Sequence, residues 1–117
     1  MMNLRRGDVV LVLFPNSDLR TAKRRPALVI QRDNLNSGLA QIIVAMISSN
    51  LERRGHPSRI FLRLDSAQPN QTGLRLDSVV MTDNLATVLE SEIDSKLGFL
   101  PDIKTVNTAL RHTLALD

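Results

Sequence analysis

SDLRTAKRRPALVI, running from Ser17 to Ile30, passes from a polar turn through a cluster of cations into an apolar run. Arg20, Lys23, Arg24 and Arg25 bring four positive charges with no acid among them. Ala27, Leu28, Val29 and Ile30 then follow without a polar break, the pattern of a strand covered on both faces. Pro26 fixes its own φ and biases Arg25 towards extended backbone, so the last cation enters that strand in a defined place. A cation held there is positioned to meet a phosphate. The same residues fit a solvated basic loop equally well.

Upstream, Gly7–Phe14 (GDVVLVLF) is rich in β-branched residues and reads as a buried first strand. Pro15-Asn16-Ser17-Asp18 carries strong turn chemistry before the cluster. Downstream, the second strand is expected over 26–32 and a third over Gln41–Ile47, closed by Ser48-Ser49-Asn50. Ser58–Leu64 alternates, with Ile60, Leu62 and Leu64 on one face and Arg59, Phe61 and Arg63 on the other. Asp77–Thr82 and Leu85–Leu89 read as two further short strands, before a last apolar run at Lys96–Leu100. Pro101–Leu116 is the one helical pattern, with Ile103, Val106, Leu110 and Leu114 forming a stripe. Short strands, irregular loops and a terminal helix predict a mainly β fold, a small and strongly bent sheet or barrel.

At 117 residues the chain is expected to form one domain spanning 1–117, and a hydrophobic share of 43% excludes a disordered chain. No apolar run approaches the ~20 residues that cross a bilayer. The start, MMNLRRGDVVLVLF, imitates a signal peptide, but Asp8 breaks its apolar run and Pro15-Asn16 ends it, so a cytoplasmic protein is expected. Without cysteine there are no disulfides, thiolate metal sites or cysteine nucleophiles. The net charge of +3 is uneven: residues 1–82 hold twelve Lys/Arg against six Asp/Glu, and residues 83–117 hold three against six. A basic body of this kind suits a polyanionic partner.

RGDVVLVLFP (6–15), SDLRTAKRRPALVI (17–30), IIVAMIS (42–48) and GLRLDSVVMTDNLATV (73–88), in that order, resemble the PemK/MazF toxins of type II toxin–antitoxin systems. The resemblance implies an SH3-like barrel with a C-terminal helix, acting as a homodimer. It also implies metal-independent, sequence-specific cleavage of single-stranded RNA, with no cofactor, and inhibition by a cognate antitoxin. In that family the arginine of the Arg-Pro step and a hydroxyl residue closing the third strand form the catalytic pair, which here are Arg25 and Ser48.

Such cleavage uses the RNA's own 2′-hydroxyl, and its transition state gathers negative charge on phosphoryl oxygens, which a fixed guanidinium stabilises. Arg25 could also protonate the leaving oxygen, although a pKa above about 12 makes it a poor acid. Ser48 would donate to the same phosphate; by itself it reads equally as a loop-capping serine. It replaces the family's commoner threonine and lacks the methyl that steadies the rotamer. Arg20 stands where many members carry an acid, and the nearest upstream acid is Asp18, which leaves the general base unassigned. Asn16, Asp18, Lys23, Arg24, Arg53, Arg54, Arg75 and Asp77 are the expected RNA-binding residues. Arg75 and Asp77 would share one side of an extended strand entrance, as a phosphate site or as a local ion pair. His56 and His112 read as a loop histidine and a helix-end complement. Two other readings share the fold: a non-catalytic, CcdB-like toxin that binds DNA gyrase, and an RNA-binding module with a degenerate site.

Overall fold

The computed structural model describes residues 3–65 and 70–117. Among these, six strands form one antiparallel sheet: β1 (Asp8–Pro15), β2 (Ala22–Val29), β3 (Gln41–Ser48), β4 (Arg59–Leu62), β5 (Ser78–Leu89) and β6 (Ile93–Phe99). One helix, α1 (Ile103–Leu114), follows them.

The spatial order β4-β5-β3-β2-β1-β6 places three strands between β5 and β6. The chain nevertheless passes from Leu89 to Ile93 through a single 3₁₀ turn, Glu90–Glu92. In a flat sheet with strands about 4.8 Å apart, so short a link could not make that crossing. The sheet is therefore rolled, and Val88 of β5 and Ile93 of β6 meet in one interior cluster with Val12, Phe14 and Val44.

Alternate residues face a second cluster, where Val9, Leu28, Ala45 and Val80 pack against Val106, Ala109 and Leu110 of α1. Both faces of β1, of β3 and of the Ala27–Val29 end of β2 are thus covered, which explains why these stretches run apolar without alternation. Asp102 caps α1 by accepting the Thr105 N–H at 3.2 Å, and Ala115 closes it in the left-handed region at φ 56°. The helix is thus shorter at both ends than Pro101–Leu116.

Other boundaries also differ from expectation: β2 ends at Val29 and not 32, and β4 keeps only Arg59–Leu62 of 58–64. β2 begins at Ala22, not 26, because the β1–β2 hairpin carries the cations into the ladder: Lys23 lies opposite Phe14, Arg24 opposite Leu13 and Arg25 opposite Val12. The segments expected as two strands at 77–82 and 85–89 are one strand, β5. Ala45 pairs with Leu85 and the next residue, Met46, with Met81, so Thr82–Asn84 bulge out between them.

The segment before β5 crosses the end of β6 at two glycines. Phe99 N–H donates to the Gln71 carbonyl at 2.8 Å. A Cβ on Gly73, at φ +74°, would lie 2.0 Å from the Leu97 carbonyl oxygen, and one on Gly98 would lie 2.3 Å from that of Gln71. This crossing delivers Leu74, Arg75 and Leu76 to the next feature.

Candidate functional site

A cleft of about 680 Å³ opens where β2 and β3 part. Their last paired couple is Ala27 and Met46. The cause is visible in the ladder: Ile30 N–H donates to the Ile43 carbonyl at 3.1 Å. Donors towards β3 recur every second residue, at Leu28 and then at position 26. Pro26 has no N–H to give, so the ladder stops and the strands diverge.

Lys23, Arg24, Arg25, Arg53 and Arg75 line the cleft, and no carboxylate or imidazole does so among the described residues. It therefore concentrates positive potential between low-dielectric walls, a setting for a polyanion.

Arg25 lies inside β2, half-buried, on the face that carries Ala27 and Val29. It is not exposed at the strand's mouth. Its Nη2 donates to Asn16 Oδ1 at 3.1 Å, and its Nε is buried with no acceptor. The Nη1 hydrogens have no partner among the described residues and remain to bind a ligand.

Ser48, the last residue of β3, also lines the cleft. Its Oγ accepts the Asn50 N–H at 3.1 Å. That bond steadies the rotamer in the absence of a methyl and leaves the hydroxyl hydrogen free to donate. Arg53 reaches Met81 Sδ with its Nη1 at 3.4 Å.

The other expected residues are spread more widely. Lys23 is exposed on the same face of β2 as Arg25. Arg24 points the other way, with Nη2 3.3 Å from Asp94 Oδ1 in an exposed ion pair of small worth. Arg54 lies outside the cleft, donating to the Leu51 carbonyl at 2.7 Å and standing 5.9 Å from the Phe61 ring centre.

The backbone bends at Arg75 and Leu76 instead of running extended. Arg75 thus faces the cleft, while Asp77 accepts the Leu64 N–H at 2.8 Å. Arg75 and Asp77 form no ion pair among the described residues. A shallower depression of about 620 Å³, which includes Asp77, adjoins the cleft and shares Ser49, Arg75 and Leu76 with it.

Asp18 sits in the β1–β2 hairpin and not in the cleft wall. The backbone N–H groups of Arg20 and Thr21, with the Thr21 hydroxyl, hold its carboxyl below the usual carboxylate range. Asn16 does line the cleft. Asn70 uses its side chain on Thr72 and the Leu74 carbonyl.

The histidines meet: His56 and His112 stack edge-on with ring centres 6.1 Å apart, and His56 Nδ1 accepts the Ser58 N–H. Nothing in their separate sequence surroundings signals that contact. Among the described residues no three His, Asp or Glu side chains gather as a metal site.

The family model described as "PemK-like, MazF-like toxin of type II toxin-antitoxin system" matches residues 5–114. The chain belongs to this family. Endoribonuclease MazF6 of Mycobacterium tuberculosis is 36% identical to this PemK/MazF toxin over 107 residues, 89% of this chain and 90% of the relative. Endoribonuclease MazF of Staphylococcus saprophyticus is 29% identical over 97% of this chain and 92% of its own. Among solved structures, a mycobacterial endoribonuclease in complex with its cognate antitoxin superimposes with a TM-score of 0.75 at 21% identity, covering 98% of both chains. MazE–MazF from Deinococcus radiodurans gives a TM-score of 0.71 at 19% identity over the whole of both chains. The PemK/MazF fold expected from the sequence is thus the fold observed.

Proposed function

We propose that this PemK/MazF toxin is an endoribonuclease that cuts single-stranded RNA at a preferred sequence, using the RNA's own 2′-hydroxyl as nucleophile. The observation that carries the reading is the cleft at the β2–β3 fork: five cations line it, with no carboxylate among the described residues, and Arg25 and Ser48 are both in its wall. That relatives covering nearly all of the chain are named endoribonucleases supports it.

In the proposed reaction the 2′-oxygen bonds to phosphorus and the bond to the 5′-oxygen breaks, leaving a 2′,3′-cyclic phosphate and a 5′-hydroxyl. Arg25 holds the developing charge on the phosphoryl oxygens through its free Nη hydrogens, and Ser48 adds a second donor. Among the described residues the cleft wall offers no carboxylate or imidazole, so the 2′-hydroxyl proton passes to solvent hydroxide and the leaving oxygen is protonated by water. Lys23, Arg53 and Arg75 bind flanking phosphates, Arg24 does so only where its exposed pair with Asp94 opens, and Asn16 lies within reach of a base. Arg54 and Asp77 act, at most, on more distant nucleotides.

The natural partner of such a cleft is an acidic segment of a cognate antitoxin, competing with RNA for the same cations. A mycobacterial endoribonuclease solved in complex with its cognate antitoxin, and MazE–MazF from Deinococcus radiodurans, support this pairing. A cytoplasmic homodimer of single-domain chains, working without metal, completes the proposal.

The test is incubation of purified protein with a defined RNA in EDTA, followed by mapping of both new ends. Cleavage with a 5′-hydroxyl and a cyclic or hydrolysed 3′-phosphate is expected. Intact RNA, or a strict Mg²⁺ requirement with 5′-phosphate products, would refute it.

A further inference from the structure

We infer that Asn16 and Thr21 are positioning residues, holding the Arg25 guanidinium in place through a one-way hydrogen-bond relay anchored at Asp18. The inference rests on Arg25 being the phosphate-facing group of the proposed site. With Nε shut in without an acceptor, the bond from Nη2 to Asn16 Oδ1, 3.1 Å, is the one hydrogen bond of the Arg25 side chain among the described residues.

Such a bond is only as good as the orientation of the amide that accepts it. An asparagine turned the other way would present its NH₂ to the guanidinium, donor against donor. Thr21 removes that ambiguity. A hydroxyl has a single hydrogen, and an ionised carboxylate can only accept. Asp18 takes the Thr21 hydrogen, with Oδ2 2.9 Å from Oγ1. Thr21 Oγ1 is then left with lone pairs alone, and Asn16 must meet it with Nδ2, at 2.9 Å. Oδ1 of Asn16 is thereby turned to Arg25.

The anchor itself is fixed by backbone. Asp18 Oδ1 accepts the N–H groups of Arg20 at 2.9 Å and Thr21 at 3.0 Å. The hairpin is closed by Asn16 N–H to the Thr21 carbonyl, 2.9 Å, and Leu19 N–H to the Asn16 carbonyl, 3.0 Å, with Leu19 in the left-handed region at φ 59°. Neither Asp18 nor Thr21 lines the cleft, so Thr21 can act on the reacting phosphate only through Asn16 and Arg25.

The decisive comparison is Thr21→Val, which keeps the shape and loses the hydroxyl, against Thr21→Ser, which keeps the hydroxyl. Thr21→Val is expected to lower kcat about tenfold, the scale of a small misplacement of a catalytic group, with KM within about twofold. Thr21→Ser should stay within about threefold of wild type. Asn16→Ala should lose as much as Thr21→Val, and adding Thr21→Val to it should cost nothing further, because the two act in series. A second readout needs no RNA: ¹⁵N NMR should show restricted Nη rotation of Arg25 in the wild type and in Thr21→Ser, and free rotation in Thr21→Val. Wild-type kcat in Thr21→Val, a loss confined to KM, failure of Thr21→Ser to rescue, or unchanged Arg25 spectra would each overturn the relay. If the wild type leaves RNA intact, the ribonuclease reading falls alone, and the spectra still decide whether Thr21 orders Arg25.

Discussion

Arg25 and Ser48 occupy matching positions on two diverging strands. Continuing the β2–β3 register two residues past its last couple, Ala27 and Met46, brings them level, and both line the cleft between. Removing the proposed cation tests that relationship. Arg25→Ala should cut RNA about 10²–10³-fold more slowly, the usual loss when one charge-stabilising donor goes. Arg25→Lys should not recover it, since an ammonium lacks the planar fork and cannot reach the Asn16 oxygen in the same geometry. Ser48→Ala should lose less, and Ser48→Thr should match or exceed wild type. Rates are to be compared between variants with equal thermal melts. Wild-type cleavage by Arg25→Ala would move the chemistry to Arg75.

The cations of the cleft should be separable by salt dependence. Each phosphate contact to a single strand adds about 0.7 to the slope of log affinity against log salt. Arg53→Ala and Arg75→Ala are each expected to flatten that slope by about this amount in a filter-binding series. Arg54→Ala, whose guanidinium lies over Phe61 outside the cleft, should flatten it less. An Arg54 effect equal to that of Arg53 would mean that RNA leaves the cleft on the Phe61 side.

Strands such as VVLVLF (9–14) and IIVAMI (42–47) are legible in the sequence because both of their faces are largely buried, and nothing polar interrupts them. The start of β2 is not. Lys23, Arg24 and Arg25 look like a loop, and their place in a strand comes from a hairpin register that local composition does not encode. Arg25 and Ser48 are legible as residue types, through the Arg-Pro step and a hydroxyl after an apolar run. The bend at Arg75 is illegible for a different reason. It follows a crossing in which Gly73 packs on the Leu97 carbonyl and Gly98 on that of Gln71, contacts between residues distant in sequence. The role of Asp77 as acceptor for Leu64 is hidden in the same way.

The rate should also lack the signature of a titrating base. With no carboxylate or imidazole in the cleft wall among the described residues, log kcat is expected to rise about one unit per pH unit from pH 6 to 8, following hydroxide. A plateau or bell with a limb near pH 4 or 6.5 would assign a carboxylate or histidine to the reaction.

Acid should unfold the protein late. Asp102 is held below its ordinary value by the Thr105 hydroxyl and backbone N–H, and Asp83 by the Arg59 guanidinium. For carboxyls with depressed folded values, the stabilisation is fully present above the unfolded value of about 3.9 and disappears as pH falls through the lower folded one. Circular dichroism should therefore show an unchanged fold at pH 5, with loss beginning below about pH 4. Asp102→Ala should lower stability at pH 7 by about 1 kcal/mol, the worth of an N-cap, and blunt the acid transition.

Gly73→Ala should be costly out of proportion to its size. The new methyl would lie 2.0 Å from the Leu97 carbonyl oxygen, on backbone already at φ +74°. Strain and crowding together are expected to remove at least about 2 kcal/mol in urea titrations. Gly38→Ala, also at positive φ but with open space around it, should cost less. Equal losses would mean that the crossing over β6 yields easily.

Pro26 has a kinetic consequence. A fork kept apart by a missing donor stands open before anything arrives, so entry requires no prior breaking of a ladder. Encounter is then limited by long-range attraction and by orientation, the regime in which on-rates collapse as ions screen the field. Raising salt from about 50 to 200 mM should slow association without introducing a lag or a slow second phase. Pro26→Ala restores a donor opposite the Ile47 carbonyl. That variant should zip the strands one rung further and turn a one-step capture into a wait for opening.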